Sequence, residues 1–324
     1  MYPKLFEIPY IHLTISPFGP MMVVGFLAAL TLIRRLSRDV IPDRQLITNA
    51  ALYALIAGVV GARAFYVIHH FDQFEGEPLI SYFATWNGGL ELYGGVLLAI
   101  AVIVFYLWRR RLPMRRSLDI LAIGLMLALI GRMGCFLNGC CFGKPTDLPW
   151  GVRFPYGSFA YRSQVKPDPK RNRPKPHMEL PDEFFRFAYT SQGSVKILKP
   201  YEDLTAEQKE FLKETDKLRS LPVHPTQLYS VANGVLLCLV LYWFWRRGQR
   251  DQKSEKFCTQ PGCTFSLMFI LYGATRFVIE GLRDDNPFEF DSITISQIIG
   301  IPLFVLGAIL LIVFQTRGRA HRKR

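Results

Sequence analysis

Residues 118–143 read LDILAIGLMLALIGRMGCFLNGCCFG. A mostly apolar run, long enough to form a helix across a lipid bilayer, ends directly in an arginine, an asparagine and three cysteines. Charged groups are costly in hydrocarbon, so an arginine at this point indicates a helix that opens onto a polar site. The stretch therefore predicts a membrane-embedded chain that carries chemistry at one end of a helix.

Similar apolar runs recur along the 324-residue chain, of which half is hydrophobic. Seven windows are long and apolar enough to span a bilayer, namely 17–33, 46–68, 88–108, 118–137, 225–245, 264–282 and 294–315. One such window could be a buried helix of a soluble protein, but seven in one chain are not typical of that class. We predict an all-α polytopic membrane protein of about seven transmembrane helices, with residues 1–324 in a single domain.

The net charge of +13 is placed in a pattern that indicates membrane topology rather than nucleic-acid binding. Lys and Arg cluster at 34–44, 109–116, 246–256 and 317–324, on alternate loops, whereas the loop FDQFEGEP at 71–78 has none. Because loops rich in Lys and Arg stay in the cytoplasm, we predict the N-terminus outside and the C-terminus inside. The first residues lack the pattern of a cleavable signal peptide and are expected to lie along the outer surface.

Residues 144–222 form the one large polar segment, and we name it the cap. It joins the fourth and fifth predicted spans, which places it outside the cytoplasm, and it holds 15 Lys and Arg residues. Its Pro- and Lys/Arg-rich part favours a mobile insertion over about 160–200. The alternative is a folded cap that contacts a protein substrate or anionic headgroups. A short helix with a threonine cap is predicted within TAEQKEFLKETDKL at 205–218.

Arginines inside the apolar windows are the strongest indication of a functional site. Arg63, Arg132 and Arg276 each lie near the outer end of a predicted span, and Arg283 follows the sixth span. Glu280 is four residues after Arg276 and three before Arg283, so it is predicted on one helix face with both. A single arginine could extend to the headgroup layer, but three at one level indicate a shared anion pocket. Because the forked guanidinium of arginine suits phosphate, we predict that this pocket binds a phospholipid headgroup.

Other residues near the predicted helix ends are candidates for the same site. Asn138 offers hydrogen bonds to a phosphate ester or a hydroxyl, and Gly143 allows close approach of the backbone. His224 begins the fifth span and is either a base or part of the helix start, and the sequence does not decide between the two.

Three cysteines, Cys135, Cys140 and Cys141, lie together at the end of the fourth span. Their spacings match no zinc signature and no histidine is near, so we expect no metal here. Small buried packing residues are the favoured interpretation, and a redox site outside the cytoplasm is the alternative.

Several blocks resemble one family, the bacterial prolipoprotein diacylglyceryl transferases. Residues 131–143 are similar to its G-R-x-G-x-F-x-N-G-x-x-x-G signature. Four more blocks resemble those of the family in the family's order: GARAFYV at 61–67, NGGLELYGG at 87–95, HPTQLY at 224–229 and GATRFVIEGLR at 273–283. The resemblance covers nearly the whole chain and is weakest at 150–220.

The resemblance implies an enzyme with seven helices in the bacterial cytoplasmic (inner) membrane. It implies transfer of the diacylglyceryl group of phosphatidylglycerol to the lipobox cysteine of a prolipoprotein, with release of glycerol phosphate and without a cofactor. By resemblance, Arg132 and Arg276 would bind the phosphate, Asn138 and Gly143 would shape the site, and Glu280 would hold the arginines.

Two positions depart from the family pattern. Tyr93 stands where the family usually has histidine, and the first span begins PFG at 17–19, where the family typically has a Tyr-Gly near the position of Phe18. If that histidine is the base, Tyr93 or His224 would take the proton of the substrate thiol here. A second hypothesis is a divergent relative that binds lipid or lipoprotein signal peptides without transfer. A third is a membrane thiol oxidoreductase that uses Cys140 and Cys141.

Overall fold

A computed structural model describes residues 6–8, 13–15, 17–40, 43–76, 78–84, 89, 91–190, 193–250, 259–288 and 292–322. The long helices are α1 (Phe18–Leu36), α2 (Arg44–His69), α4 (Leu92–Arg109), α5 (Met114–Ala128), α9 (Thr226–Arg250), α10 (Cys263–Gly281) and α11 (Ile295–Arg322). The short helices are α3 (Leu79–Phe83), α6 (Met133–Asn138), α7 (Phe159–Gln164) and α8 (Ala206–Glu214). A 3₁₀ turn, Leu129–Arg132, joins α5 to α6.

The prediction of a helical polytopic membrane protein is confirmed. Six helical segments of the described chain are long and apolar enough to cross a bilayer, counting α5 to α6 as one, and the shorter α4 is the seventh apolar helix. The helix α4 begins four residues after the predicted start at 88, and residues 85–88 and 90 lie outside the described part. Two antiparallel hairpins were not predicted: β1 (Phe6–Ile8) with β2 (Leu13–Ile15), and β3 (Phe185–Thr190) with β4 (Gly193–Leu198).

The chain divides into two compact units. The first comprises Met1–Phe26, Met126–Val240 and Leu267–Ile309, and the second comprises Leu27–Leu125, Leu241–Ser266 and Leu310–Arg324.

The cap belongs to the first unit and is folded, so the prediction of a mobile insertion over 160–200 is wrong for its described residues. Tyr161 and Phe184 are fully buried in an apolar core shared with the hairpin. Arg171 and Arg173 from the basic stretch are also buried, and both pair with the carboxylate of Asp284. These two arginines are thus internal partners of an acid far along the chain.

The predicted cap helix is confirmed as α8, Ala206–Glu214. The Thr205 hydroxyl accepts from the Gln208 backbone N–H, and the Gln208 side chain accepts from the Thr205 N–H. This reciprocal capping satisfies two N–H groups that the first turn leaves unpaired.

In the second unit α2 and α4 pack with almost no space between their backbones. A Cβ atom added to Gly61 would lie 2.5 Å from the carbonyl oxygen of Gly94. Small residues at such contacts allow helices to associate within a bilayer, where apolar burial gives no driving force.

Asp119, which interrupts the apolar run of α5, also has a structural role in the second unit. Its carboxylate accepts from the backbone N–H groups of Gly262 and Phe265, each at 2.8 Å, at the start of α10. The Asp119 side chain therefore accepts from N–H groups that a helix N-terminus leaves unpaired.

Candidate active site

The first unit contains most of the predicted site residues, namely Arg132, Asn138, Gly143, His224, Arg276, Glu280 and Arg283. Arg63 and Tyr93 belong to the second unit. We describe the two groups separately.

Arg132 lies where the helix tightens into the 3₁₀ turn before α6. The neighbouring glycines let α1 come close, since a Cβ on Gly134 would be 2.9 Å from Phe18 Cα. The Arg132 side chain is half-buried, and its Nη1 donates to Cys141 Sγ at 3.6 Å. Within the described residues no carboxylate oxygen lies within ion-pair distance of this guanidinium. Arg132 is therefore a cation that can receive an anionic ligand.

Glu280 holds the other two arginines. The predicted shared helix face is confirmed for Arg276, whereas Arg283 lies two residues beyond the end of α10 and reaches Glu280 from the turn that follows the helix. Its side chain is 1 % exposed, and its Oε2 lies 2.7 Å from Arg276 Nη2 and 3.3 Å from Arg283 Nη1. Thr294 donates to the other carboxylate oxygen at 3.2 Å, and so does Asn286. The carboxylate thus has partners on several sides and is fixed in place.

Arg283 is balanced by a second acid. Asp285 accepts two parallel hydrogen bonds from the Arg283 guanidinium, each at 2.9 Å. Although burial alone would lower the pKa of Arg283, these bonds and the nearby negative charges raise it above its ordinary value. Arg283 is therefore a permanent cation whose charge is already balanced.

A small cavity joins Arg132 and Arg276. Its lining consists of these two arginines with Leu129, Ser230, Asn233, Tyr272 and Ile279. Arg276 also donates to the Ser296 hydroxyl at 3.1 Å. Two guanidinium groups beside hydroxyl and amide groups, in otherwise apolar helices, form an environment that suits a phosphate ester.

Three polar residues of the cavity, Ser230, Asn233 and Tyr272, were not predicted. A signal was present, because Ser230 and Asn233 are three residues apart and therefore share one face of α9. Asn233 donates to the Thr275 hydroxyl at 3.0 Å, which fixes its amide.

Gly143 and His224 form one backbone junction in the first unit. The Gly143 N–H donates to the His224 carbonyl at 3.0 Å, and a Cβ on Gly143 would lie 2.6 Å from His224 Cβ. Only glycine fits without moving the segment. The His224 ring contacts the Tyr229 hydroxyl through Nδ1 at 3.3 Å, and that hydroxyl accepts from Trp150 Nε1 at 2.8 Å.

The cysteines of the opening stretch form a cluster. The Sγ atoms of Cys135, Cys140 and Cys141 all lie within 4.8 Å of one another, and all three thiols are free. Hydrogen bonds from the Cys135 and Cys140 thiols, helped by the charges of Arg283 and Arg132, hold the pKa of Cys141 far below its ordinary value. Asn138, which was predicted to bind the substrate, donates from Nδ2 to Cys140 Sγ at 3.8 Å and so contacts this cluster.

In the second unit Arg63 has structural partners. Its guanidinium donates to the backbone carbonyls of Ser81, Tyr82 and Gly89 at 2.7, 2.9 and 3.0 Å. These bonds join α2 to α3 and to Gly89, and the role of Arg63 in substrate binding stays a prediction.

Tyr93 lies in the first turn of α4 and is 40 % exposed. Just before it, Glu91 accepts from His69 Nδ1 at 2.7 Å. This histidine–carboxylate pair was not predicted from the sequence, because the two residues come together only when α2 packs on α4. The role of Tyr93 stays a prediction.

Known proteins of one family are similar to this chain over nearly its whole length. The family model described as prolipoprotein diacylglyceryl transferase matches residues 3–313. Similar proteins named phosphatidylglycerol–prolipoprotein diacylglyceryl transferase come from Clostridium tetani, at 26 % identity over 95 % of both chains, and from Synechococcus elongatus, at 27 % over 96 % of this chain and 86 % of the relative. A third, from Chloroflexus aggregans, is 30 % identical over 87 % of this chain and 76 % of its own. The resemblance found in the sequence is confirmed, and the chain belongs to the prolipoprotein diacylglyceryl transferase family.

Proposed function

We propose that this protein transfers the diacylglyceryl group of phosphatidylglycerol to the thiol of a prolipoprotein lipobox cysteine. The observation that carries the proposal is the cavity between Arg132 and Arg276 inside apolar, membrane-length helices. Arg132 has no carboxylate partner among the described residues, and a guanidinium in such surroundings is expected to bind an anion. Family membership and the names of the similar proteins support the same substrate pair.

The reaction joins sulfur to carbon and releases a phosphate ester. The cysteine thiolate attacks the glyceryl carbon that carries the phosphate, the S–C bond forms, and the C–O bond breaks. Glycerol phosphate leaves with both electrons of that bond, so negative charge grows on the leaving oxygen. The Arg132 and Arg276 forks stabilise that charge in a medium that screens it poorly.

Glu280 and Gly143 position the binding groups. Glu280 balances Arg276 so that its fork is held in one orientation, and Gly143 lets His224 and the end of α10 meet closely. The acceptor of the thiol proton is a separate question, for which Tyr93 and His224 remain the predicted candidates.

The charge clusters on alternate loops support an orientation with the N-terminus outside and the C-terminus in the cytoplasm. The bacterial cytoplasmic (inner) membrane is the proposed location, with the cap on the outer side. Long basic segments are largely exempt from the charge rule, and the buried pairing of Arg171 and Arg173 with Asp284 further reduces the free charge of the cap.

Transfer by the purified protein tests the proposal. Wild-type protein in detergent is mixed with phosphatidylglycerol and a lipobox peptide, and peptide mass and released glycerol phosphate are followed. We expect a peptide heavier by one diacylglyceryl group and an equal amount of glycerol phosphate. Arg132→Ala should form neither product, whereas Arg186→Ala, at an exposed arginine of the cap, should match wild type.

The second candidate function is binding without transfer, and the tyrosine at position 93 favours it. A wild-type protein that is folded and binds phosphatidylglycerol, yet forms no product, would contradict the proposed reaction and support this alternative.

A further inference from the structure

The three cysteines are brought together by the way in which α6 ends. Gly139 adopts a left-handed conformation, the Gly139 N–H donates to the Phe136 carbonyl, and the Cys140 N–H donates to the Cys135 carbonyl at 3.1 Å. This is the Schellman pattern, which places the residues on either side of the final turn in contact. Here those residues are Cys135 and Cys140.

Cys141 joins the pair through an unusual backbone. Its φ of +58° is in the left-handed region, which residues other than glycine rarely adopt. Two side chains from the start of α9 hold this conformation, since Thr226 donates to the Cys141 carbonyl and Gln227 to the Cys140 carbonyl, each at 2.6 Å. Backbone strain fixed in this way is typical of functional sites.

Hydrogen-bond donors from other side chains point at the sulfur atoms. Arg132 Nη1 lies 3.6 Å from Cys141 Sγ, and Asn138 Nδ2 lies 3.8 Å from Cys140 Sγ. N–H groups directed at sulfur stabilise thiolates, and such outer contacts orient the ligands of metal sites. Three sulfurs held on a fixed backbone, with donors around them, form a preorganised ligand set.

The sulfur spacing fits one metal ion. With Zn–S bonds of about 2.3 Å, tetrahedral or trigonal geometry separates neighbouring sulfurs by about 3.8–4.0 Å. In the protein the three Sγ atoms are at most 4.8 Å apart, which is within 1 Å of that range. A disulfide would join only two of the three sulfurs and needs a spacing of about 2.05 Å.

We propose that Cys135, Cys140 and Cys141 bind Zn²⁺ and that its fourth coordination position takes the substrate thiol as a thiolate. Three thiolate ligands are characteristic of thiophilic ions, and zinc sites with three protein ligands keep one position open for a reactant. This inference rests on the proposed function, because the thiol to be activated is the substrate of that reaction.

The step activates the substrate thiol without a proton-accepting side chain. The substrate thiol binds Zn²⁺ and releases its proton to solvent, since coordination deprotonates a thiol without a dedicated base. The bound sulfur then forms the S–C bond while the C–O bond to the phosphate breaks. Arg132 contacts the cluster and also lines the phosphate cavity, so one side chain adjoins both reacting partners.

Metal binding is tested first, without any activity assay. Purified protein is treated with chelator and reductant, and Co²⁺ is then added as a spectroscopic probe. We expect one Co²⁺ per chain, with the thiolate-to-cobalt charge-transfer band, and displacement by Zn²⁺. Three variants, Cys135→Ser, Cys140→Ser and Cys141→Ser, should lose the band. The control is Cys238→Ser, which changes a buried cysteine of α9 outside the cluster and should keep the band.

Two outcomes of this first experiment would overturn the site. One is reduced wild-type protein that takes up no Co²⁺ or is selective for Cu(I) alone. The other is a disulfide within the cluster in protein purified without reductant, which would indicate a redox pair. Variants are compared by thermal unfolding, so that loss of the band in a folded protein is attributed to the ligand.

Thiol activation is tested second. The lipobox peptide should change the ligand-field bands of the Co²⁺ protein, and the same peptide with serine in place of its cysteine should not. Removal of metal should lower the transfer rate on the order of 100-fold, the usual contribution of general-base catalysis, and Zn²⁺ should restore it. Full transfer by metal-free protein would overturn the activation step while the proposed function stands. Absence of transfer in every metal state would refute the proposed function, and the Co²⁺ bands would still decide the site.

Discussion

Replacing Glu280 with glutamine removes one negative charge and keeps the size and shape of the side chain. The carboxylate is 1 % exposed and lies 2.7 Å from Arg276 and 3.3 Å from Arg283. Arg283 retains Asp285 as a partner after the change. Arg276 would lose its carboxylate partner and keep, among the described residues, the hydrogen bond to the Ser296 hydroxyl.

The magnitude follows from this difference between the two arginines. Removing one partner of a buried ion pair costs about 3–5 kcal/mol, because the other charge is left uncompensated. Since Arg283 stays paired, we expect Glu280→Gln to lie at the lower end, at about 3 kcal/mol. Asp285→Asn is the matched control. The Asp285 carboxylate is partly exposed and Arg283 keeps Glu280 after the change, so the loss of Asp285 should cost less, about 1.5 kcal/mol.

The free energy of unfolding is measured by titration with sodium dodecyl sulfate in mixed micelles, followed by tryptophan fluorescence. The transfer rate of the folded fraction is measured in parallel and should fall, because Arg276 loses its fixed orientation. A Glu280→Gln protein as stable as Asp285→Asn, with unchanged transfer, would refute the view that Glu280 holds the arginines in place.

Three further changes test other parts of the account. Gly143→Ala should lower stability by about 1–3 kcal/mol, because the added methyl group overlaps His224; an unchanged melting temperature would contradict this. Asp284→Asn should cost about 3 kcal/mol through its buried pair with Arg173 and should speed limited proteolysis of the cap; unaltered cleavage would show that the pair does not hold the cap. Asn233→Leu should lower the transfer rate at least about tenfold through a lost hydrogen bond to phosphate, and a rate equal to wild type would remove Asn233 from the site.

Local periodicity explains what could be predicted from the sequence. The seven apolar helices follow from window length alone, and the contact of Glu280 with Arg276 follows from their spacing on one helix. Arg283 also contacts Glu280, but from the turn just after α10. These features depend only on residues close together in the chain. Helical spacing could also have placed Ser230 and Asn233 on one polar face of α9, and that pattern was overlooked.

The cap shows why composition alone gave a wrong prediction. A Pro- and Lys/Arg-rich segment is typical of mobile chain, but Arg171 and Arg173 are buried against Asp284, more than 110 residues away. Ion pairs between such distant residues cannot be recognised from a local pattern. The same is true of His69 and Glu91, which meet only because α2 packs on α4.

The cysteine cluster could be predicted only in part, because one of its contacts is local and another depends on distant residues. Zinc signatures were compared by spacing, and 135, 140 and 141 match none. The Asn-Gly pair before Cys140 is a common helix ending, however, and recognising that ending would have predicted contact between Cys135 and Cys140. The position of Cys141 depends on Thr226 and Gln227 and could not be predicted from residues 131–143.

The central claim is that Arg132 stabilises the phosphate leaving group, and the single-turnover transfer rate tests it most directly. Wild type, Arg132→Lys and Arg132→Gln are saturated with phosphatidylglycerol and lipobox peptide, and formation of the thioether is followed by mass. The loss of one donor to a developing anion typically costs 10²–10³-fold in rate. We predict a loss of about that size for Arg132→Gln and a smaller loss for Arg132→Lys, which keeps the charge but not the fork. Rates within a few fold of wild type for both folded variants would contradict the account.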